Sequence, residues 1–589
     1  MKQKQITTEE ILYIIAFIAA LGVRLLRLGI APLSDFEASW ALQALDVARG
    51  NPTAIGPNPA YIFVNGVLFF LTEGSDALAR LLPALVGAGL VWVPYFFRSP
   101  LGKTAGVIMA FGLALDPGLV ALSRLAGGPM MAMGFGLLAV GFWYVRKPFW
   151  AGVFGGLALL SGPWFWQGLI GLLLASIISI LLERFNILDP LGEKFKFDRS
   201  KSHIKKWLVA FIGSIIVFGS LSLLYPRGFG ALAETLPVYL NGWLKSSGIP
   251  ATRLIAAFVF YQPLALIFGV VALVRGWIYR NDLSRWLSIW LFTALILALI
   301  FQGRQVWDVA WTLIPLWALA SIEMARYIRV SKEDRWPMLG EAILIIILAG
   351  IVWINLAGAA NIVSDDQVAR LRWIVIFGAI VLGAVTTILV GLGWSTKAAV
   401  QGLVLGICIS VGLYVIASMW GVSQVHPNGE NELWYQPPYT RRMDSVITTL
   451  SDLSEWEMGF RNTIELVLVS EAPSLQWALR DWDETNYSPD AALGDLPPVI
   501  LKSGEHAAPS QTVAYRGQGF GLWAHPTWNG ALPIDWTKWL VFREAPHNYE
   551  ELILWVRGDI FPDGSMIMES EADSSLQIEE EEIFESQQE

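Results

Sequence analysis

Residues 371–393, LRWIVIFGAIVLGAVTTILVGLG, and residues 397–420, KAAVQGLVLGICISVGLYVIASMW, are apolar runs with one basic residue near the start of each. Each reaches the roughly 20 residues that a helix needs to cross a bilayer. Outward from this pair, similar runs fall at 9–29, 80–97, 104–122, 130–146, 149–161, 163–183, 207–225, 254–275, 286–301, 308–328 and 338–357. The pattern predicts a multi-pass α-helical membrane protein with about 13 transmembrane helices. Gly162 and Pro163 split one long stretch, so 149–161 and 163–183 read either as two spans or as one broken helix. The first run is not followed by a small-residue cleavage signal and reads as retained.

Composition agrees. The 589 residues are 54% hydrophobic and 15% charged, whereas soluble domains carry roughly 25% charged residues. The 28 Trp and 30 Phe suit aromatic belts at two interfaces. The net charge of −9 reflects acidic residues near the C-terminus, and no basic patch interleaved with aromatics points to nucleic acid. The single cysteine, Cys408, lies inside an apolar run and excludes an intrachain disulfide.

Charge asymmetry orients the spans. With Lys2 and Lys4 inside, the loops bearing Arg98/Lys103, Arg146/Lys147, Lys194–Lys206, Arg275/Arg280/Arg285 and Arg326–Arg335 are also inside. They hold roughly twice the Lys and Arg of the outer loops. An odd number of crossings then places the N-terminus in the cytoplasm and the C-terminal part outside, in a plasma membrane. Three regions result: a transmembrane domain over 1–420, an exofacial α/β domain over 421–566 and a disordered acidic tail over 567–589.

The first outer loop, about 30–79, carries helical apolar spacing over 37–49 and an apolar run over 61–71. Both read as helices along the membrane surface, with an extra span as the alternative for 61–71. In the outer domain, 464–469, 499–502, 512–515, 521–524, 540–543 and 553–556 read as strands of a mixed sheet. Residues 474–482 read as a helix capped by Ser470 or Ser474.

Charges beside a membrane are costly and mark function. Arg24 and Arg27 precede Ser34-Asp35-Phe36-Glu37. Carboxylates there could take a proton from an acceptor or hold a divalent ion. Equally, Ser34 or Asp35 could cap a helix with Glu37 in its first turn. Arg124, near Asp116-Pro117, and Arg304, near Asp308, suit phosphate oxygens or act as interfacial anchors. His203, His426, His506, His525 and His547 show no metal-ligand spacing. The sequence has no P-loop, dinucleotide fingerprint or GxSxG, which argues against ATP hydrolysis and serine-hydrolase chemistry.

Several short motifs occur in a telling order: Arg24-Leu-Leu-Arg-Leu-Gly, the acidic loop Asp35–Ala38, Ala79-Arg-Leu-Leu-Pro-Ala-Leu-Val-Gly, Ser123-Arg-Leu-Ala, Gly303-Arg-Gln-Val-Trp and Trp311–Trp317. Ser474–Asp481 and Trp555–Asp559 follow in the outer domain. The order resembles the GT-C superfamily of polyprenyl-phosphate-sugar-dependent glycosyltransferases. That superfamily includes protein O-mannosyltransferases, lipid A aminoarabinose transferases and oligosaccharyltransferase catalytic subunits, and the outer half is similar to its archaeal flippase-associated branch. The resemblance covers most of residues 10–560. It implies a polyprenyl-phosphate-linked sugar donor, a lipid, glycan or protein acceptor, and contact with membrane lipids. Asp35 would then be the base, Glu37 a support for the acceptor or an ion, and Arg124 and Arg304 contacts to the donor phosphate. Arg24, Arg27 and Asp308 would support them.

Two departures stand out. Phe36 separates carboxylates that are usually adjacent, and Gly127-Gly128-Pro129 replaces a stretch that often carries an aspartate. They keep open a non-catalytic member that binds polyprenyl-linked glycans. A transporter is disfavoured, because the spans show no paired intramembrane carboxylates and no inverted repeat.

Overall fold

The computed structural model describes residues 7–188, 200–361, 366–425, 429–482, 485–487, 497–504, 509–510 and 513–561. The acidic tail, the basic residues Lys194, Lys196 and Arg199, and His426 and His506 lie outside the described residues. Two compact units are present. One comprises Met1–Ala31, Ser39–Pro437 and Pro526–Pro546; the other comprises Pro32–Ala38, Pro438–His525 and His547–Glu589.

The first unit is helical. Every stretch read as a span is helical over most of its length. Eight helices among the described residues are long and apolar enough to cross a membrane, and ten if each of two bent pairs counts as one span. The bends are sequence-encoded. Lys103–Leu115 and Pro117–Ser123 meet at 54°, and Ala251–Tyr261 and Pro263–Ile278 at 93°. In each pair a proline opens the second arm, where its missing N–H and ring stop the first helix from continuing. Pro148–Leu159 and Trp164–Arg184 are likewise separate helices, parted at Gly162, whose φ of +95° is a left-handed conformation that favours glycine. Lys201–Gly219 starts six residues before the apolar run at 207, because its first turns carry Lys201, Lys205 and Lys206 beyond the hydrophobic stretch. The first loop forms helices Asp35–Arg49 and Pro59–Thr72. At 14 residues the second is too short for an ordinary crossing.

Late in the chain, Arg335–Ala360, Asp366–Gly393 and Thr396–Val422 pack together. Gly402 and Gly406 form a small-xxx-small stripe against the first of these. A Cβ on Gly406 would sit 2.6 Å from Ile345 Cβ. Gly406→Val is therefore expected to cost about 2 kcal/mol, read as a lower unfolding temperature in detergent.

The second unit centres on a six-stranded sheet. Its strands are β1 (Tyr439–Thr440), β2 (Leu466–Val469), β3 (Thr485–Tyr487), β4 (Val499–Ser503), β5 (Tyr515–Pro526) and β6 (His547–Arg557), in the order β1-β5-β6-β4-β2-β3. β2 runs parallel to β3 and β4, while β4 is antiparallel to β6. Alternation divides the side chains between faces. Leu466, Leu468, Leu501 and Leu554 join one core with Val446 and Leu450 of helix Met443–Met458; Ile500, Ile553 and Trp555 join another.

Two local readings change. Residues 540–543 are not a strand but the end of helix Trp536–Phe542 and its successor Arg543, a short apolar run that periodicity alone cannot assign. Neither Ser470 nor Ser474 caps the following helix, which starts at Pro473 without a side-chain cap; Ser470 Oγ instead accepts from the Ala472 amide.

Candidate functional site

Glu37 is buried and closes a capping box. Its carboxylate accepts from the Ser34 amide and from the Ser34 hydroxyl, both at 3.1 Å, and Ser34 Oγ accepts from the Glu37 amide at 3.4 Å. This is the S-x-x-E arrangement of a helix start. Asp35 is half-buried. Its Oδ1 accepts from the Ser474 amide at 3.0 Å. No other hydrogen bond to Asp35 occurs among the described residues, so Oδ2 is left available. The two carboxylates thus differ: one closes the capping box, and the other has one oxygen without a hydrogen bond among the described residues.

The arginines of the first unit divide in the same way. The break at Asp116-Pro117 leaves the last carbonyls of Lys103–Leu115 without helical partners. Arg24, fully buried, fills that gap. It donates to Ala114 O at 2.8 Å, Leu113 O at 3.1 Å, Ala20 O at 3.3 Å and Ser123 Oγ at 3.0 Å. Arg124 does the reverse for the first helix, Thr8–Leu25. Its guanidinium donates to the carbonyls of Val23, Arg24, Leu26 and Arg27 at 3.1, 2.9, 2.9 and 3.1 Å. Arg27 itself turns left-handed, with φ at +49°, as the chain leaves the helix. Arg24, Arg27 and Arg124 are therefore brought together, as a reciprocal clasp between two helix ends. Read from the sequence as a phosphate contact, Arg124 is buried and engaged with main-chain oxygens.

Arg304 is half-buried and keeps donor capacity. It donates to Phe301 O at 2.9 Å, and reaches Ile249 O and Gln302 Oε1 only at 3.5 Å each, leaving part of a five-donor fork unused. Asp308 makes no ion pair with it. Asp308 instead accepts from the Gln305 amide at 2.8 Å and caps the short helix Val306–Val309.

Gly127 lies in the stretch where the resemblance leads one to expect an aspartate. Its φ is +69°, and a Cβ there would lie 2.4 Å from Trp40 Cδ1, so the position admits no side chain. Among the described residues, no three carboxylate, histidine or cysteine side chains gather into a set fit for a metal ion. His525 pairs with Glu550 at 3.2 Å rather than with another histidine.

Two further buried polar groups of the first unit have partners that the sequence did not show, although Asp116 itself was singled out. Asp116 caps Pro117–Ser123 through the Leu119 amide at 2.8 Å and accepts from Trp317 Nε1 at 2.6 Å. The second is centred on Arg543. Its Nε lies 3.6 Å from Glu432 Oε1, its Nη2 donates to Ser418 Oγ at 3.0 Å and Tyr414 OH at 3.3 Å, and its guanidinium stacks 4.5 Å from the Trp539 ring. Tyr261 OH donates to Glu432. Burial pushes the Glu432 carboxyl up, and the Arg543 guanidinium beside it pulls it back down. Residues 540–543 read as a strand, so the sequence did not point to this cluster.

No protein-family model matches the chain, and no curated protein matches its sequence. Solved structures do. ArnT from Cupriavidus metallidurans in the apo state aligns with a TM-score of 0.50 at 14% identity, over 80% of this chain and 85% of that one. The same protein bound to undecaprenyl phosphate gives 0.48 at 15% identity, with the same coverage. The Archaeoglobus fulgidus oligosaccharyltransferase in complex with Zn and sulfate gives 0.35 at 13%, over 80% and 62%. The chain has a GT-C fold and is a multi-pass membrane protein.

Proposed function

We propose that this GT-C-fold chain is a glycosyltransferase, moving a sugar from a polyprenyl-phosphate carrier to a lipid, glycan or protein acceptor on the outer face of the membrane. The single observation that carries the reading is Asp35: a half-buried carboxylate in the first loop, oriented by the Ser474 amide through one oxygen and available through the other. Fold alone would not suffice. In the proposed step the acceptor oxygen bonds to the anomeric carbon as the bond from that carbon to the carrier's phosphate oxygen breaks. Asp35 takes the acceptor's proton, and the polyprenyl phosphate leaves with the bonding electrons. Glu37 positions the helix that bears Asp35. Arg304 meets the phosphate's charge with its unused donors.

The test uses membranes containing the full chain and polyprenyl phosphates carrying radiolabelled sugars. Label should move from the carrier into a lipid, glycan or protein fraction only when the chain is present. Label that remains on a bound carrier would remove the transfer reaction. It would leave the second reading, an accessory protein that holds polyprenyl-linked glycans, which is favoured by one observation: Gly127 admits no second carboxylate. Arg304→Ala is expected to weaken donor affinity about tenfold, the loss of a charge-assisted hydrogen bond, seen as a raised KM for the carrier-linked sugar. Glu37→Ala should cost about 1 kcal/mol of stability through the lost capping box, measured by thermal unfolding. Glu37→Gln, which keeps an acceptor, should come close to the parent.

A further inference from the structure

Glu341 lies about 9 Å along the axis of helix Arg335–Ala360 from its first residue, at 1.5 Å per residue. It is 2% exposed and plays no part in the proposed chemistry. On one side Gly402 brings helix Thr396–Val422 against its Cβ. On another, Thr387 Oγ1 donates to Glu341 Oε1 at 2.5 Å and also lies 2.8 Å from Gly383 O, so one hydroxyl proton serves two acceptors. The second oxygen, Oε2, is buried and has no hydrogen-bond partner among the described residues.

Glu341 also lines a groove of about 520 Å³ with Pro337, Gly340, Leu344, Leu389 and Trp394. That volume falls within the range of small-molecule sites. The groove lies where Arg335–Ala360 begins and Asp366–Gly393 ends, between two helices apolar enough to cross a membrane. The 26-residue helix exceeds the ~30 Å hydrocarbon core by a few residues at each end, which puts Glu341 just inside the boundary. Trp394, two-thirds exposed, directly follows the last residue of Asp366–Gly393, a position that suits an indole at a membrane interface. Arg335 and Lys397 are exposed at the helix ends nearby, with positive charge at the level of lipid phosphates.

A carboxylate oxygen in a low-dielectric wall needs a donor. The surrounding helices offer none to Oε2, whereas an amphiphile in the groove could. We propose that this groove binds one membrane amphiphile whose polar end, a hydroxyl or an ammonium group, donates a hydrogen bond to Glu341 Oε2. Apolar Leu344 and Leu389 hold the chain and Trp394 covers the head. The inference does not depend on the transferase reading, since it concerns other residues and another ligand.

The full chain, purified in detergent, is mixed with diacylglycerol, phosphatidylethanolamine or phosphatidylcholine, and retained lipid is read by native mass spectrometry. Diacylglycerol offers a hydroxyl, phosphatidylethanolamine an ammonium, and phosphatidylcholine no donor. Retention of at least one donor lipid about tenfold above phosphatidylcholine is expected, and it tells which donor the site takes. Glu341→Leu should bring that lipid down to the phosphatidylcholine level, while Thr387→Val should keep the preference. Equal retention of all three by the parent chain would overturn the proposal without any variant. So would an unchanged preference in Glu341→Leu.

Discussion

Asp35→Asn is expected to slow sugar transfer by at least about a hundredfold, the lower end of what a positioned general base contributes. The substitution is nearly isosteric. Asparagine keeps a carbonyl oxygen for the Ser474 amide, so the contact that orients residue 35 can persist. What disappears is the ability to accept a proton. The loss should therefore appear in kcat, with KM for the carrier-linked sugar close to the parent value. Glu37→Gln, two residues away, is the matched control, because its oxygen lies in the capping box rather than free. Full-rate transfer by Asp35→Asn would remove Asp35 as the base. Equal losses in the two variants would show that the helix start, not a proton, was being disturbed.

Arg124→Ala should fail to accumulate in membranes, or unfold far more readily than the parent in detergent. The guanidinium satisfies the carbonyls of Val23, Arg24, Leu26 and Arg27 at the end of the first helix, and the residue is 2% exposed. Each buried carbonyl left without a donor costs about 1–3 kcal/mol. Even with partial relaxation, a loss on the order of 4 kcal/mol is expected, in the range reserved for broken buried networks. Arg124→Lys should fall between, since an ammonium has three donors on a point charge and cannot span the same fork. The measurement separates two roles for this arginine. A phosphate contact would raise KM for the donor in a stable protein; a helix clasp removes the protein first.

The contrast between Asp35 and Arg124 shows where the sequence could be read and where it could not. Hydropathy located the helices because crossing a bilayer demands length and apolarity together, and that demand is written in consecutive residues. Gly162-Pro163 marked a break for an equally local reason, whereas 104–122 and 254–275 read as unbroken spans and bend at Pro117 and Pro263. Ser34-Asp35-Phe36-Glu37 read as a helix start with Ser34 or Asp35 as the cap, since cap and first turn are neighbours in the chain. The partners of Arg24 and Arg124 did not show, because they are main-chain oxygens, which every residue carries, released by a helix break and a helix end roughly a hundred positions away in the chain. Arg124 therefore read either as a phosphate contact or as an interfacial anchor, and Arg24 as a support. Glu432 and Arg543 escaped for another reason. Residues 540–543 are too short a run to choose between helix and strand, and their surroundings come from Tyr261, Tyr414 and Ser418, distant in sequence.

Pro526–Pro546 leaves the sheet between β5 and β6 and belongs with the helical unit, where Arg543 meets Glu432. This fixes an order of events during synthesis. The spans through Val422 and the acidic residue after them emerge from the ribosome first, yet the cation that balances Glu432 arrives only when most of the chain has been made. Until then the nascent bundle carries an uncompensated acid or keeps it in water. Completion of the helical unit thus waits until residue 543 has been made, long after its last span. Any nascent chain stalled before residue 543 would be a quality-control substrate, however complete its row of spans.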